Sequence, residues 1–209
     1  VKCLMTAPEV PSGSDRCLAA AKQLPNMPDF ILNLQGDAPF TPMDAIKAML
    51  QSFTDNPELE VVTPVHQLSW HDLDRMRESK KDTPFSGTTA MIGPKGQALW
   101  FSKNIIPAIR KEEDMRKDDA NGYSPVHQHM GLYGYRADVL ERFCALPQST
   151  YEELEGLEQL RLLENGINVQ TVKIDIPVGQ LQSGIDTIED LTRAEAMLAA
   201  QDLMISRSS

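Results

Sequence analysis

The segment Phe30-Ile31-Leu32-Asn33-Leu34-Gln35-Gly36-Asp37 constrains this chain more than any other. A short apolar run with few charges ends in a glycine and an acid. That pattern fits a central strand that opens into a loop. Thr41 then stands where a helix cap is needed, Pro42 suits the first helical position, and Asp44 sits near the positive end. Met43, Ile46, Met49, Leu50 and Phe53 supply a helical stripe, and Asn56-Pro57 stops it. Residues 60–65 read as the next strand. A strand-helix-strand unit of this kind predicts an α/β fold with a parallel sheet.

Residues 69–80 read as a polar helix. Residues 88–92 and 97–102 read as two strands of an antiparallel hairpin around Gly93-Pro94-Lys95-Gly96. The charge-dense stretch 110–121 has no apolar periodicity and reads as an exposed loop or a short solvated helix. Residues 129–136 read as a strand leading into a helix over 137–146, which Pro147 ends. Thr150 caps a short acidic turn, residues 157–164 form a helix, and Asn165-Gly166 terminates it. A strand over 169–174 follows, and then a helix capped by Thr187 that carries Leu191, Ala194, Leu198 and Leu203. A short strand is expected over 1–5.

The 209 residues suit a single domain, and 41% apolar with 24% charged residues is the profile of a folded globular protein. Net charge is −10, from 30 acids against 20 bases. Nucleic-acid binders carry a basic surface that neutralises phosphates, so no nucleic-acid partner is expected. No apolar run approaches the roughly 20 residues that span a bilayer, and the first residues do not read as a secretory signal. Cys3, Cys17 and Cys144 are too scattered for a disulfide framework or a four-thiolate metal site. These features predict a cytoplasmic protein with reduced thiols.

Asp37 projects from the C-terminal rim of a strand, where open α/β sheets bind ligands. Its carboxylate can hold Mg²⁺ or simply cap the next loop. Asp186, in Gly184-Ile185-Asp186-Thr187, lies just before a helix cap and offers a second carboxylate for the same ion. Ser12-Gly13-Ser14-Asp15-Arg16 forms a polar turn that can grip an oxyanion or a base edge, with Arg16 the phosphate candidate. An ordinary helix cap with an Asp/Arg surface pair explains the same residues. His127 and His129 lack a convincing third zinc ligand. His129 beside Tyr133 and Tyr135 offers polar groups to a sugar pocket. Glu155, Glu158 and Gln159 offer the mixed donors and acceptors that polyhydroxyl ligands need, or form part of an amphipathic helix.

Taken in order, these motifs resemble the 3-deoxy-manno-octulosonate cytidylyltransferase family. The resemblance runs through Ser12 to Arg16, Gln35-Gly36-Asp37-Ala38-Pro39, Phe101-Ser102-Lys103 with Pro107, and the segment from His129 to Arg136. It continues through Glu155 to Arg161 and Gly184 to Thr187. It implies a mixed, mainly parallel nucleotide-diphosphate-sugar transferase sheet flanked by helices, with an antiparallel region that supports a homodimer. It also implies transfer of the cytidylyl group from CTP to 3-deoxy-D-manno-octulosonate (Kdo), giving CMP-Kdo and pyrophosphate for lipopolysaccharide synthesis. By position, Asp37 and Asp186 resemble the family's Mg²⁺ carboxylates. Ser12, Gly13, Ser14, Arg16 and Gln35 resemble its CTP contacts. His129, Tyr133, Glu158 and Gln159 resemble its sugar-acid contacts.

This chain departs from the family pattern at Ser14 for threonine, Ala38 for glutamate and Lys103 for arginine. The last keeps charge but loses the planar fork. The family's first strand and basic phosphate loop have no counterpart here, so residues 1–209 are expected to be one cytidylyltransferase domain, N-terminally incomplete. Two other readings remain open from the residues: an acceptor that is an amino-modified or sialic sugar acid, and a catalytically impaired nucleotide- or sugar-binding module.

Overall fold

The computed structural model describes residues 2–36, 38, 41–118, 122–176, 188, 191–192 and 195–196. Residues 2–7 form no strand, in contrast to the expectation for the N-terminus. Regular structure begins at α1 (Gly13–Ala21). Ser12 is its N-cap, and the Ser12 hydroxyl accepts the Asp15 N–H at 3.1 Å. β1 (Phe30–Leu34) forms where the apolar run predicts. The next cap falls one residue later than expected. Pro42, not Thr41, precedes α2 (Met43–Asp55), while the Thr41 hydroxyl donates to the Ala38 carbonyl at 2.9 Å. The inward face of α2 is Ala45, Met49 and Phe53, spaced by four residues, so Met43 and Leu50 lie on the exposed flank.

β2 (Val61–Ser69) runs longer than expected and passes directly into α3 (Trp70–Asp82), which Ser69 caps. β3 (Thr88–Ile92) and β4 (Ala98–Ser102) pair as the expected antiparallel hairpin. α4 (Glu112–Asp118) buries no residue and is tied to α3 by Arg77–Glu112 at 2.6 Å and Arg116–Asp74 at 2.6 Å. The single strand expected from His129 is two strands, β5 (Tyr123–His129) and β6 (Leu132–Arg136), separated at Met130-Gly131. α5 (Ala137–Cys144) follows. Ser149 rather than Thr150 caps α6 (Thr150–Glu155), in a reciprocal capping box with Glu152. α7 (Gln159–Glu164) and β7 (Val169–Lys173) complete the order. Ile188, Leu191, Thr192, Glu195 and Ala196 are helical, as expected of that segment. Thr187, Ala194, Leu198 and Leu203 lie outside the described residues.

The strand order is β1-β6-β2-β5-β3-β4, with β7 on the other side of β2. Among the described residues, only the β2–β7 pairing is parallel, so the α/β fold is present but the mainly parallel sheet is not. The reason is an insertion. β1 and β2 do run in the same direction, connected through α2, yet β6 lies between them and is antiparallel to both. The sheet also curls. Thr171 donates its N–H and hydroxyl to the Gly96 carbonyl at 2.8 and 2.7 Å, and Gln97 bridges to Gln170, so the hairpin tip docks on β7.

Alternation along the strands sends Val61 and Val62 into two different cores. One holds Val61, Phe101, Tyr135, Leu140, Phe143, Leu160 and Val169. The other holds Val62, Leu132 and Ile174 with the inward face of α2. Gly134 makes the second possible. A Cβ there would stand 2.2 Å from the Phe30 ring and 3.3 Å from the Met49 methyl. Phe30 in turn packs on Phe53 with centroids 3.9 Å apart. Overpacking a filled interior typically costs about 1–3 kcal/mol. Gly134→Ala should therefore lower unfolding stability in urea by an amount in that range. An unchanged midpoint would contradict this packing.

Candidate active site

β5 and β6 occupy the same edge of β2, and the break between them decides where the site lies. β1 pairs with β6 and ends at Leu34 opposite Leu132, while β3 pairs with β5 and begins at Thr88 opposite His129. Two strand ends and the Met130-Gly131 turn thus converge on one spot. Gln35 reaches over this turn, with its side-chain oxygen in van der Waals range of Gly131.

A ladder of rings runs along one face of this region. Phe101 and His129 have centroids 4.9 Å apart, His129 and Tyr133 5.3 Å, Tyr133 and Tyr135 6.0 Å, and Tyr135 and Phe143 6.0 Å. His129 Nε2 lies 2.9 Å from the Thr63 hydroxyl, whose proton goes to the Leu132 carbonyl at 2.8 Å. The hydroxyl has one proton to give, so His129 Nε2 donates and its Nδ1 keeps a lone pair. Burial, and then the nearby Lys103 ammonium, push the His129 pKa down to about 3. Burial raises the Tyr133 and Tyr135 phenols above their usual range, so the ladder is neutral at pH 7.

The ladder meets a polar cluster at the start of α1. Ser14, fully buried, donates to Glu158 Oε2 at 3.0 Å and lies 3.5 Å from the Tyr135 hydroxyl. Asn33 Nδ2 reaches the Ser14 hydroxyl at 3.5 Å and lies close beside Gly13. Burial raises the Glu158 pKa, opposed by the hydroxyls of Ser14 and Ser12 and by Arg161. Arg161 itself is taken by a buried pair with Glu152 at 2.7 Å and stacks over the Phe143 ring. Gln159, the next residue on α7, is buried.

Ser12, Ser14, Tyr133, His129 and Glu158 therefore form one wall, although they come from four separate segments. Arg16 does not join them. Its guanidinium donates to the Thr6 hydroxyl at 2.7 Å and to the carbonyls of Ala7 and Val10, anchoring the preceding segment. Asp15 turns back to the Ser12 hydroxyl at 2.7 Å, so the surface Asp/Arg pair does not form. Gln35 is exposed at the rim. Asp37 and Asp186 lie outside the described residues. Among the described residues no group of three or more His, Cys, Asp or Glu could hold a metal ion. Sequence reasoning missed Asn33 and Thr63, whose signal was a polar side chain inside an otherwise apolar strand.

A cleft of about 340 Å³ opens at the opposite rim, lined by Glu58, Glu60, Arg136, Asn168 and Gln170 among others. Its charges are already matched. Glu60 takes Arg142 at 2.6 Å and Arg136 takes Asp138 at 2.6 Å. The wall around Ser14 and Glu158 offers more unspent chemistry.

The buried neutral imidazole gives a stability prediction. An unfolded His129 takes a proton near pH 6.5 while the folded one resists until about pH 3. The unfolded state therefore binds more protons in that window, and stability falls as pH drops through 6.5. At pH 5 the loss from this group is about 2 kcal/mol. Urea unfolding from pH 7 to pH 5 should show a steeper loss in the wild type than in His129→Gln. Parallel curves would contradict a buried neutral imidazole.

Comparisons with known proteins follow the same lines. Residues 1–174 match the cytidylyltransferase family. The chain is 37% identical over 204 residues to a 3-deoxy-manno-octulosonate cytidylyltransferase of Maricaulis maris, covering 98% of this chain and 75% of that protein. It is 32% identical over 203 residues to the one from Bdellovibrio bacteriovorus, covering 97% of this chain and 74% of that protein. A solved structure of CMP:2-keto-3-deoxy-manno-octonic acid synthetase complexed with CTP matches with a TM-score of 0.77 at 31% identity. That match covers 95% of this chain and 72% of the other. By sequence and by fold, this chain belongs to the 3-deoxy-manno-octulosonate cytidylyltransferase family.

Proposed function

We propose that the protein transfers the cytidylyl group from CTP to Kdo, releasing pyrophosphate and forming CMP-Kdo. The observation that carries this reading is the single wall formed by Ser12, Ser14, Tyr133, His129 and Glu158. Relatives matched over nearly the whole chain carry that activity in their names. The anomeric hydroxyl of the sugar acid attacks the α-phosphorus in line. One P–O bond forms to the sugar as its hydroxyl proton passes to solvent, and the P–O bond to pyrophosphate breaks. No covalent enzyme intermediate is required.

The chain's own groups bind and orient. The Glu158 carboxylate accepts hydrogen bonds from sugar hydroxyls, and the buried Ser14 hydroxyl, whose proton goes to Glu158, holds that carboxylate in place. His129 Nδ1 offers an acceptor and Tyr133 a hydroxyl. The ring ladder keeps water from one face of the pocket. Ser12 and Gly13, with Gln35 at the rim, face the nucleotide.

Mg²⁺ belongs to this proposal, with Asp37 and Asp186 as the residues that would hold it. Carboxylate oxygens suit this hard cation, which would supply charge neutralisation for the triphosphate when bound. The reading further places the protein in the cytoplasm as a homodimer. Among the described residues, no helix is long and apolar enough to cross a membrane.

Pyrophosphate release from CTP with Kdo, and the mass of CMP-Kdo, test the reading together. Turnover should vanish with EDTA and return with added Mg²⁺. Asp37→Asn and Asp186→Asn should each lower kcat by about two orders of magnitude, the scale of losing one charge-stabilising group. Glu158→Gln should mainly raise KM for Kdo. Pyrophosphate release that ignores Kdo, or near-normal kcat in both aspartate variants, would defeat the assignment.

A further inference from the structure

Lys80 on α3 makes an unusual set of contacts. Its ammonium lies within hydrogen-bond distance of four backbone carbonyls, Ser86 at 2.5 Å, Lys103 at 2.6 Å, Gly87 at 3.2 Å and Pro84 at 3.3 Å, the two longer contacts sharing its third proton. Among the described residues it forms no ion pair, although the Glu155 carboxylate is near enough to oppose the lowering of its pKa. The carbonyls of Pro84, Ser86 and Gly87 belong to the turn that enters β3, and that of Lys103 lies just past the end of β4. One cation thus fastens α3, the entry to β3 and the exit of β4 at a single point. Burial lowers the Lys80 pKa, and Lys103 lowers it further. The carbonyl dipoles are what a half-buried ammonium needs, since it brings three protons and no acceptor.

What this point holds is the backbone of Lys103. Its carbonyl goes to Lys80, while its N–H goes to Glu155 Oε2 at 2.8 Å. The neighbouring Ser102 hydroxyl donates to Glu155 Oε1 at 2.8 Å. The peptide units on both sides of Lys103 are therefore held by opposite charges. Gly87 adjoins Thr88, which pairs with His129, so the same cage also sets the strand facing the ring ladder. The Lys103 ammonium is near enough to both His129 and Lys80 to depress their pKa values. Among the described residues it forms no ion pair.

We propose that Lys80 is a positioning residue that fixes the Lys103 backbone, so that the Lys103 ammonium meets the carboxylate of the sugar acid beside His129. The proposal rests on the cytidylyltransferase reading above and deepens it. A flexible lysine loses more freedom than an arginine fork when it binds an anion. Clamping its main chain removes part of that freedom before substrate arrives. Lys80 touches neither substrate in this account and acts only through residue 103.

Two measurements on the protein test it. In steady-state kinetics, Lys80→Met should raise KM for Kdo about tenfold, with kcat and KM for CTP within about twofold. In a Lys103→Met background the same change should add less than about twofold, because the group it positions is already gone. Full additivity, or an unchanged KM for Kdo in Lys80→Met, overturns the proposal. The second measurement is competitive acetylation read by mass spectrometry, with exposed Lys47 as the internal reference. In the wild type, Kdo should slow labelling of Lys103 while Lys80 stays slow with or without it. In Lys80→Met, Lys103 labelling should rise severalfold over Lys47. Lys103 labelling that is indifferent to Kdo overturns the proposal even if the variant fails to fold. An absence of pyrophosphate release in the wild type would instead defeat the functional reading, while unaltered Lys103 labelling in Lys80→Met would defeat the Lys80 assignment alone.

Discussion

The break at Met130-Gly131 is the constraint on which the remaining architecture depends. A continuous strand along the edge of β2 would present one uninterrupted partner surface. The break lets β6 bind β1 and β5 bind β3 on the same side. The two outer strands then approach end to end, and the loops after β1 and before β3 open at one place. His129 and Tyr133 stand on either side of the break with rings 5.3 Å apart, which a regular strand would not allow for residues four apart.

Electrostatics at this place follow from burial more than from charge. Desolvation is the first cause for His129, Tyr133, Tyr135 and Glu158 alike. It keeps the imidazole and phenols neutral and pulls the Glu158 carboxylate toward protonation. Hydrogen bonds from Ser14 and Ser12 resist that pull on Glu158. A pocket of neutral donors and acceptors with one carboxylate and one nearby ammonium suits a polyhydroxyl acid better than a polyphosphate. Carbonyl dipoles stabilise the half-buried Lys80 ammonium, so that it takes no carboxylate as a direct partner.

Local chemistry made much of this legible. The β1 run, the β3–β4 turn and the solvated α4 each announce themselves within a few residues. Ser14 and Glu158 were placed among ligand groups by motif order, and they meet at 3.0 Å across 144 positions. Pairing partners were not legible. Nothing between residues 30 and 65 signals that β6 inserts between β1 and β2, because a long-range contact leaves no local period. β5 was hidden for a related reason: Pro125 and the polar residues around it weaken the alternation, and the strand is held by neighbours on both sides. Arg16's partners were not legible either, because a basic residue in a polar turn suits an anion and a set of backbone carbonyls equally well. The Lys80 cage was invisible for the same reason, since carbonyl acceptors have no sequence signature.

Amide hydrogen exchange with an inert CTP analogue and Kdo bound tests the placement of the site most directly. Joint slowing is expected in peptides covering residues 12–15, 128–134 and 156–160, with no change at the opposite rim around residues 58–60 and 168–170. Slowing confined to that rim, or slowing of only one of the three segments, would contradict it.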